Sequence, residues 1–160
     1  MYSPRPPAAA RYTEVAIRTA TPLQLVVILY EGAIQCLQEA HQHVGRGDIA
    51  NRVRAINRAV AAISELQASL DFNAGGQIAV QLNSLYAYMK QRLFQANVQQ
   101  SAELIAEVIS LLQNLHSAWA QIASAPNPAP NPAGAPQDVP AVLPGETLER
   151  ESSHSLNISG

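Results

Sequence analysis

At 160 residues, 48% apolar and 14% charged with a formal charge of −2, the chain has the size of one compact domain and lacks the basic excess of a nucleic-acid binder. Its single cysteine cannot staple an extracellular scaffold and argues for a reducing, cytoplasmic setting. Residues 1–20 hold no apolar signal-peptide core, and the densest apolar run, Leu25 to Tyr30, stops at Glu31, far short of the ~20 residues a membrane span needs.

Residues 1–19 read as an N-terminal arm, where Pro4, Pro6 and Pro7 argue against a helical beginning. Thr21-Pro22 then supplies an N-cap hydroxyl and a proline at the first helical position. The first helix carries Leu23, Val26, Val27, Tyr30, Ile34, Leu37 and Val44 at three-and-four spacing and ends at Gly45-Arg46-Gly47. Asp48 caps the second, whose stripe reads Ile49, Val53, Ile56, Val60, Ile63, Gln67 and Leu70. Asn73-Ala74-Gly75-Gly76 punctuates the chain before a third helix that runs to about Asn97 with Ile78, Leu82, Leu85, Met89 and Leu93 inward. Ser101 caps the fourth, which repeats Leu104, Val108, Leu111, Leu115, Trp119 and Ile122.

Beyond Ser124 the composition changes: seven of the eleven prolines follow it, and Asp138, Glu146, Glu149 and Glu151 stand against Arg150 alone. Residues 124–160 therefore read as a disordered, Pro-rich, acidic tail. Between arm and tail, residues 20–123 hold four segments of similar length joined by short turns. Such segments pack antiparallel to their sequence neighbours, so the expected fold is all-α, an up-down four-helix bundle.

Bundle enzymes build metal sites from inward Glu-x-x-His pairs, and this chain has none. His41 and His43 are two residues apart and point to opposite sides of a helix; His116 edges the fourth stripe as a boundary residue. Cys36 reads as a small buried hydrophobe, and Gly75-Gly76 as a turn, since neither a preceding strand nor a phosphate-binding Lys accompanies it. Asn157-Ile158-Ser159 matches a glycosylation sequon without a secretory signal to give it meaning. No catalytic residue, cofactor site or metal site is expected. A bundle enzyme or cofactor carrier is the disfavoured alternative.

The informative feature is surplus apolar surface. Apolar positions of the first helix span an arc of about 200°, where a bundle helix needs little more than 100°. Ile28 falls outside even that arc. On the third helix, Val80, Ala87 and Phe94 recur every seven residues, opposite the inward set. Exposed apolar patches mark interaction sites. The expectation is a groove offering Leu25, Ile28, Leu29, Val80 and Phe94 to a partner helix or extended segment. Tyr12, Val15 and Ile17 of the arm are placed to lie across it. The competing ways of covering this surface are a tightly twisted bundle or a homodimer, which corresponds to a self-associating structural or adaptor protein.

Residues 12–123 resemble the FliS family of flagellin export chaperones. The resemblance is carried by Tyr12, Val15 and Thr19-Ala20-Thr21-Pro22, then Leu29-Tyr30-Glu31-Gly32-Ala33, Ser69-Leu70-Asp71 and Gly75-Gly76-Gln77-Ile78-Ala79. Leu85-Tyr86-Ala87-Tyr88-Met89, Arg92-Leu93, Ala96-Asn97 and the late Trp119 complete the order. Gln77, Ala87 and the surroundings of Ser101 depart from it where the family usually carries an acid, and Glu31 replaces the commoner Asp.

The resemblance implies a cytoplasmic, helical, non-enzymatic chaperone without cofactors. Its implied partners are the disordered C-terminal segment of flagellin, which the chaperone wraps, and a component of the flagellar export gate; nucleic acid and membrane insertion are not implied. Tyr30 and Tyr86 join the expected partner-binding set, each offering a ring and a hydroxyl to an interface, with a place at the boundary of the core as the equal alternative. Asn97 reads as the end of the third helix or its link to the fourth, with a family-type client contact as the sharper reading that places it in the set.

Overall fold

The computed structural model describes residues 17–126, and all of its long elements are α-helices. They are α1 (Pro22–Arg46), α2 (Ile49–Ala68), α3 (Phe72–Gln99) and α4 (Ala102–Ser124). Among the described residues there is no strand. Tyr12, Val15 and the tail beyond Pro126 lie outside the described residues.

Each boundary has a local cause. Thr21 forms a capping box: its hydroxyl accepts from Gln24 N at 3.2 Å, and Gln24 Oε1 accepts from Thr21 N at 2.9 Å. α1 ends where Gly47 takes a left-handed φ of 68°, with its N–H donating to Val44 O and that of Asp48 to His43 O. Asp48, Asp71 and Ser101 cap the other three helices by accepting backbone N–H groups. The glycine pair behaves differently from a plain turn. Phe72 to Gly75 already form a helical turn, and Gly76, at φ 52° and ψ −130°, breaks the path before the main run of α3. That conformation is closed to residues with a Cβ.

The helices pack as a ring in the order α1, α2, α3, α4, with α1 held most extensively, against α2 and α4. α1 and α3 are therefore diagonal. A polar clamp fixes each neighbouring pair: Glu39 with Arg58 between α1 and α2, and Gln67 Nε2 to Asn83 Oδ1 at 2.8 Å between α2 and α3. Arg92 reaches Glu107 at 3.2 Å between α3 and α4, and His116 reaches Glu31 at 3.1 Å between α4 and α1. Exposed pairs of this kind add little stability, but together they pin the register.

The buried face of each helix is offset from the stripe of large side chains expected from sequence. On α2 the core residues are Arg52, Ala55, Ile56, Ala59, Ile63 and Leu66, while Ile49 is 55% exposed and Val53 and Val60 are half-buried. On α3, Ala79, Tyr86 and Ala96 go inside, Leu85 is half-buried and Ile78 is 49% exposed. On α4, Ile105 and Leu112 are fully buried, and Leu104, Leu111, Leu115 and Ile122 form the shoulders. The reason is close approach. Ala33 and Ala40 of α1 and Ala55 and Ala59 of α2 are fully buried, as are Leu37, Ile63 and Leu66, so small residues share the core face with large ones.

Across the diagonal, the hydroxyls of Tyr30 and Tyr86 share a hydrogen bond in the core. Burial, reinforced by Tyr86, pushes the Tyr30 phenol well above its ordinary range; burial raises Tyr86 too. Either Tyr30→Phe or Tyr86→Phe strands the other hydroxyl in the core and should cost about 1–3 kcal/mol. Urea melts of both variants and of the double variant check this, and a double variant that costs as much as the two single ones added together would contradict it.

Candidate partner-binding surfaces

Two apolar surfaces remain open after the core is built. The first lies between α1 and α4, near the end of the bundle where the chain enters. It is a groove of about 410 Å³ with Val27, Ile28, Ala120 and Ala123 as its apolar lining. Thr19, Gln24, Glu31 and Ser124 supply polar groups around them. Residues 17–19 are helical, and Ile17 is 47% exposed, so the arm-end of the chain arrives at this groove. Leu25, 37% exposed, and half-buried Leu29 lie further round α1, on the side of Glu39 and α2.

The second surface is the outward face of α3. Val80 is 45% exposed, Phe94 70% and Val98 66%, and Ala87 between them is also open. Successive members fall seven or four residues apart, so they form one stripe along the helix. α3 carries only Lys90 and Arg92 as charged residues, and Arg92 is engaged with Glu107 and stacked over the Tyr88 ring. The members of the stripe are uncharged, and Lys90, four residues before Phe94, borders it. At its far end Arg52, buried in α2, donates to Asn97 Oδ1 at 3.3 Å and to the Asn97 carbonyl at 3.4 Å. Ile49, one turn before Arg52 on α2, is 55% exposed.

The geometry corrects the single-groove expectation. Leu25, Ile28 and Leu29 belong to α1 and Val80 and Phe94 to α3, and these helices are diagonal, so their outward faces lie on opposite sides of the bundle. Tyr30 and Tyr86 are 0% and 1% exposed and bonded to each other, so neither presents its side chain to a partner in this conformation. Asn97 sits inside α3 rather than in a linker, and its side chain is already held by Arg52. Tyr12 lies outside the described residues. Sequence reasoning passed over Val98, although its four-residue spacing from Phe94 places it on the same stripe, and it read Ile49 and Ile78 as inward.

The histidines and the cysteine stay in structural roles. His116 pairs with Glu31, and the thiol of half-buried Cys36 is raised by its burial. Among the described residues no group of three or more His, Cys, Asp or Glu is placed to hold a metal ion, and no helix is long and apolar enough to cross a membrane.

Comparison with known proteins adds an independent line. A family model described as "Flagellar protein FliS" matches residues 5–126. The chain is similar to the flagellar secretion chaperone FliS of Salmonella typhimurium, with 40% identity over 111 residues covering 69% of this chain and 82% of that protein. It is also similar to the flagellar secretion chaperone FliSB of Pseudomonas aeruginosa, at 32% over 120 residues covering 72% and 95% of the two chains. The flagellar secretion chaperone FliS of Bacillus subtilis is 29% identical over 110 residues, covering 69% and 81%.

Proposed function

This chain belongs to the FliS family of flagellar proteins, and from that premise we propose that it is a cytoplasmic, non-enzymatic chaperone of flagellar secretion whose client is the disordered C-terminal segment of flagellin. It keeps that segment from polymerising early and escorts it to a component of the export gate.

The observation that carries this reading is the pair of apolar surfaces on opposite sides of one small bundle. A compact ligand reaches one of them; a long, extended segment that folds around the bundle reaches both. The apolar α3 stripe, bordered by Lys90, suits an amphipathic client helix. Each Å² of apolar surface covered contributes roughly 25 cal/mol. Ordering the client costs about 2–5 kcal/mol or more, which offsets much of the gain and leaves the complex reversible at the export machinery.

Calorimetric titration of the full chain with the C-terminal segment of the cognate flagellin tests the proposal. Saturable binding with a negative heat-capacity change is expected, because apolar surface leaves water. No binding, or equal binding of an unrelated amphipathic segment, contradicts it. Sedimentation of the free chain decides the rival reading, since a self-associating bundle runs as an oligomer that client does not dissociate.

A further inference from the structure

The flank of α3 that faces α2 carries Asn83, Lys90 and Asn97 at seven-residue intervals. Residues seven apart share one side of a helix, displaced by only about 20°. The outer two are tied to α2: Gln67 Nε2 donates to Asn83 Oδ1 at 2.8 Å, and Arg52 Nε to Asn97 Oδ1 at 3.3 Å. Lys90 lies midway between these ties and so on the same flank, half-buried. It is three residues past Ala87 and four before Phe94, which makes it a neighbour of both along the apolar stripe.

Each tie spends an amide oxygen. Arginine has no acceptor, so the Asn97 oxygen must be the atom that meets Arg52, and its Nδ2 is left over. Neither that group, nor Asn83 Nδ2, nor the Lys90 ammonium has a partner among the described residues, so the flank offers donors only. The acids of the adjoining helices are turned away or engaged. Glu65 of α2 is two residues from Gln67 and points to the other side of its helix. On α4, Glu103 is bonded to Ser101, and Glu107 is held by Tyr88 and Arg92 on the opposite flank of α3.

We propose that Lys90 selects the client on this face, by pairing with a carboxylate on the flank of the amphipathic helix whose apolar side covers Val80, Ala87, Phe94 and Val98. This deepens the client reading above and rests on it. The outward stripe requires an apolar face from its occupant, and Lys90 stands at the edge of that face. A helix without the acid would strip water from the ammonium and return nothing, which penalises wrong partners. The donors line only the α2 flank. A helix laid in the reverse direction would carry its acid to the flank of Glu107, so Lys90 also sets which way round the client lies.

Calorimetric titration of the full chain with the C-terminal segment of flagellin, at about 50 and about 500 mM salt, is the test. Parent affinity should fall about threefold across that range, while Lys90→Gln should start about threefold weaker and barely respond to salt. Lys90→Arg should bind as the parent does, which separates the charge from a packing role. Lys90→Gln with Gln91→Lys keeps the net charge but turns the ammonium about 100° round α3, and should not restore binding. Each Asp and Glu of the segment is also exchanged in turn for its amide. One exchange should weaken binding to the parent and leave Lys90→Gln unaffected. Full affinity of Lys90→Gln at low salt, or its recovery with Gln91→Lys, overturns the proposal and leaves the client reading in place. Absence of binding by the parent chain removes that reading, and this one with it. Sedimentation in which Lys90→Glu changes self-association alone, with client binding untouched, gives the stripe to a second copy and also overturns it.

Discussion

Phe94→Asp should weaken binding of the flagellin C-terminal segment at least tenfold, equivalent to about 1.4 kcal/mol, while leaving the melting temperature within about 3 °C of the parent. Phe94 is 70% exposed in the free bundle, so its ring contributes little to folding. Substitutions at such positions usually change stability by no more than about 0.5 kcal/mol. In a complex, covering the ring is worth about 1.5–3 kcal/mol, and a carboxylate in its place must be desolvated against an apolar client. Val98→Asp should behave similarly, one helical turn further along the same stripe. Leu29→Asp serves less well, because Leu29 is half-buried and packed on the core, so folding and binding would fall together. Paired titrations and thermal melts separate the two effects. A cooperative loss of structure in Phe94→Asp would mean that the α3 stripe supports the fold rather than a partner.

The second large effect concerns folding. Ala59→Leu should destabilise the bundle by about 1–3 kcal/mol or more, whereas Val60→Ala should cost about 1 kcal/mol. Ala59 is 0% exposed on the core face of α2, so three added carbons there must displace packed neighbours. Val60 is half-buried on a shoulder, where a lost methyl pair is partly replaced by solvent. Urea titrations monitored by helical circular dichroism give both numbers. The reverse order would restore Val60 to the core and Ala59 to the flank.

That pair also explains which parts of the fold were legible in the sequence. Helix ends were, because Thr21-Pro22, Asp48, Gly47 and Ser101 act locally, through one side chain and a few backbone groups. Surplus apolar surface on the first and third helices was legible as well, since periodicity alone exposes an arc too wide for a core stripe. The exact facing of each helix was not. A hydrophobic pattern weighs Val60 above Ala59, but close approach of two backbones favours the smaller residue, and that depends on the neighbouring helix. Arg52 illustrates the same limit: a lone arginine among apolar positions looks solvated, yet Asn97 on α3 gives it two acceptors and lets it sit 4% exposed. Likewise the sequence leaves Tyr30 and Tyr86 open between interface and core boundary, because each joins a ring to a polar end. Their burial is explained only by pairing across the diagonal, 56 positions apart in sequence. The placement of Ile28 and Phe94 on opposite sides follows from the ring order of the helices, which no local pattern encodes.

The central claim is that one client segment covers both surfaces at once. Methyl and aromatic NMR of the full chain, titrated with the C-terminal segment of flagellin, tests it most directly. Ile28 and Val27 in the α1/α4 groove, and Val80, Phe94 and Val98 on α3, should all shift along a single saturation curve. Shifts confined to one of the two surfaces, or two curves with separate midpoints, would contradict a client that wraps the bundle.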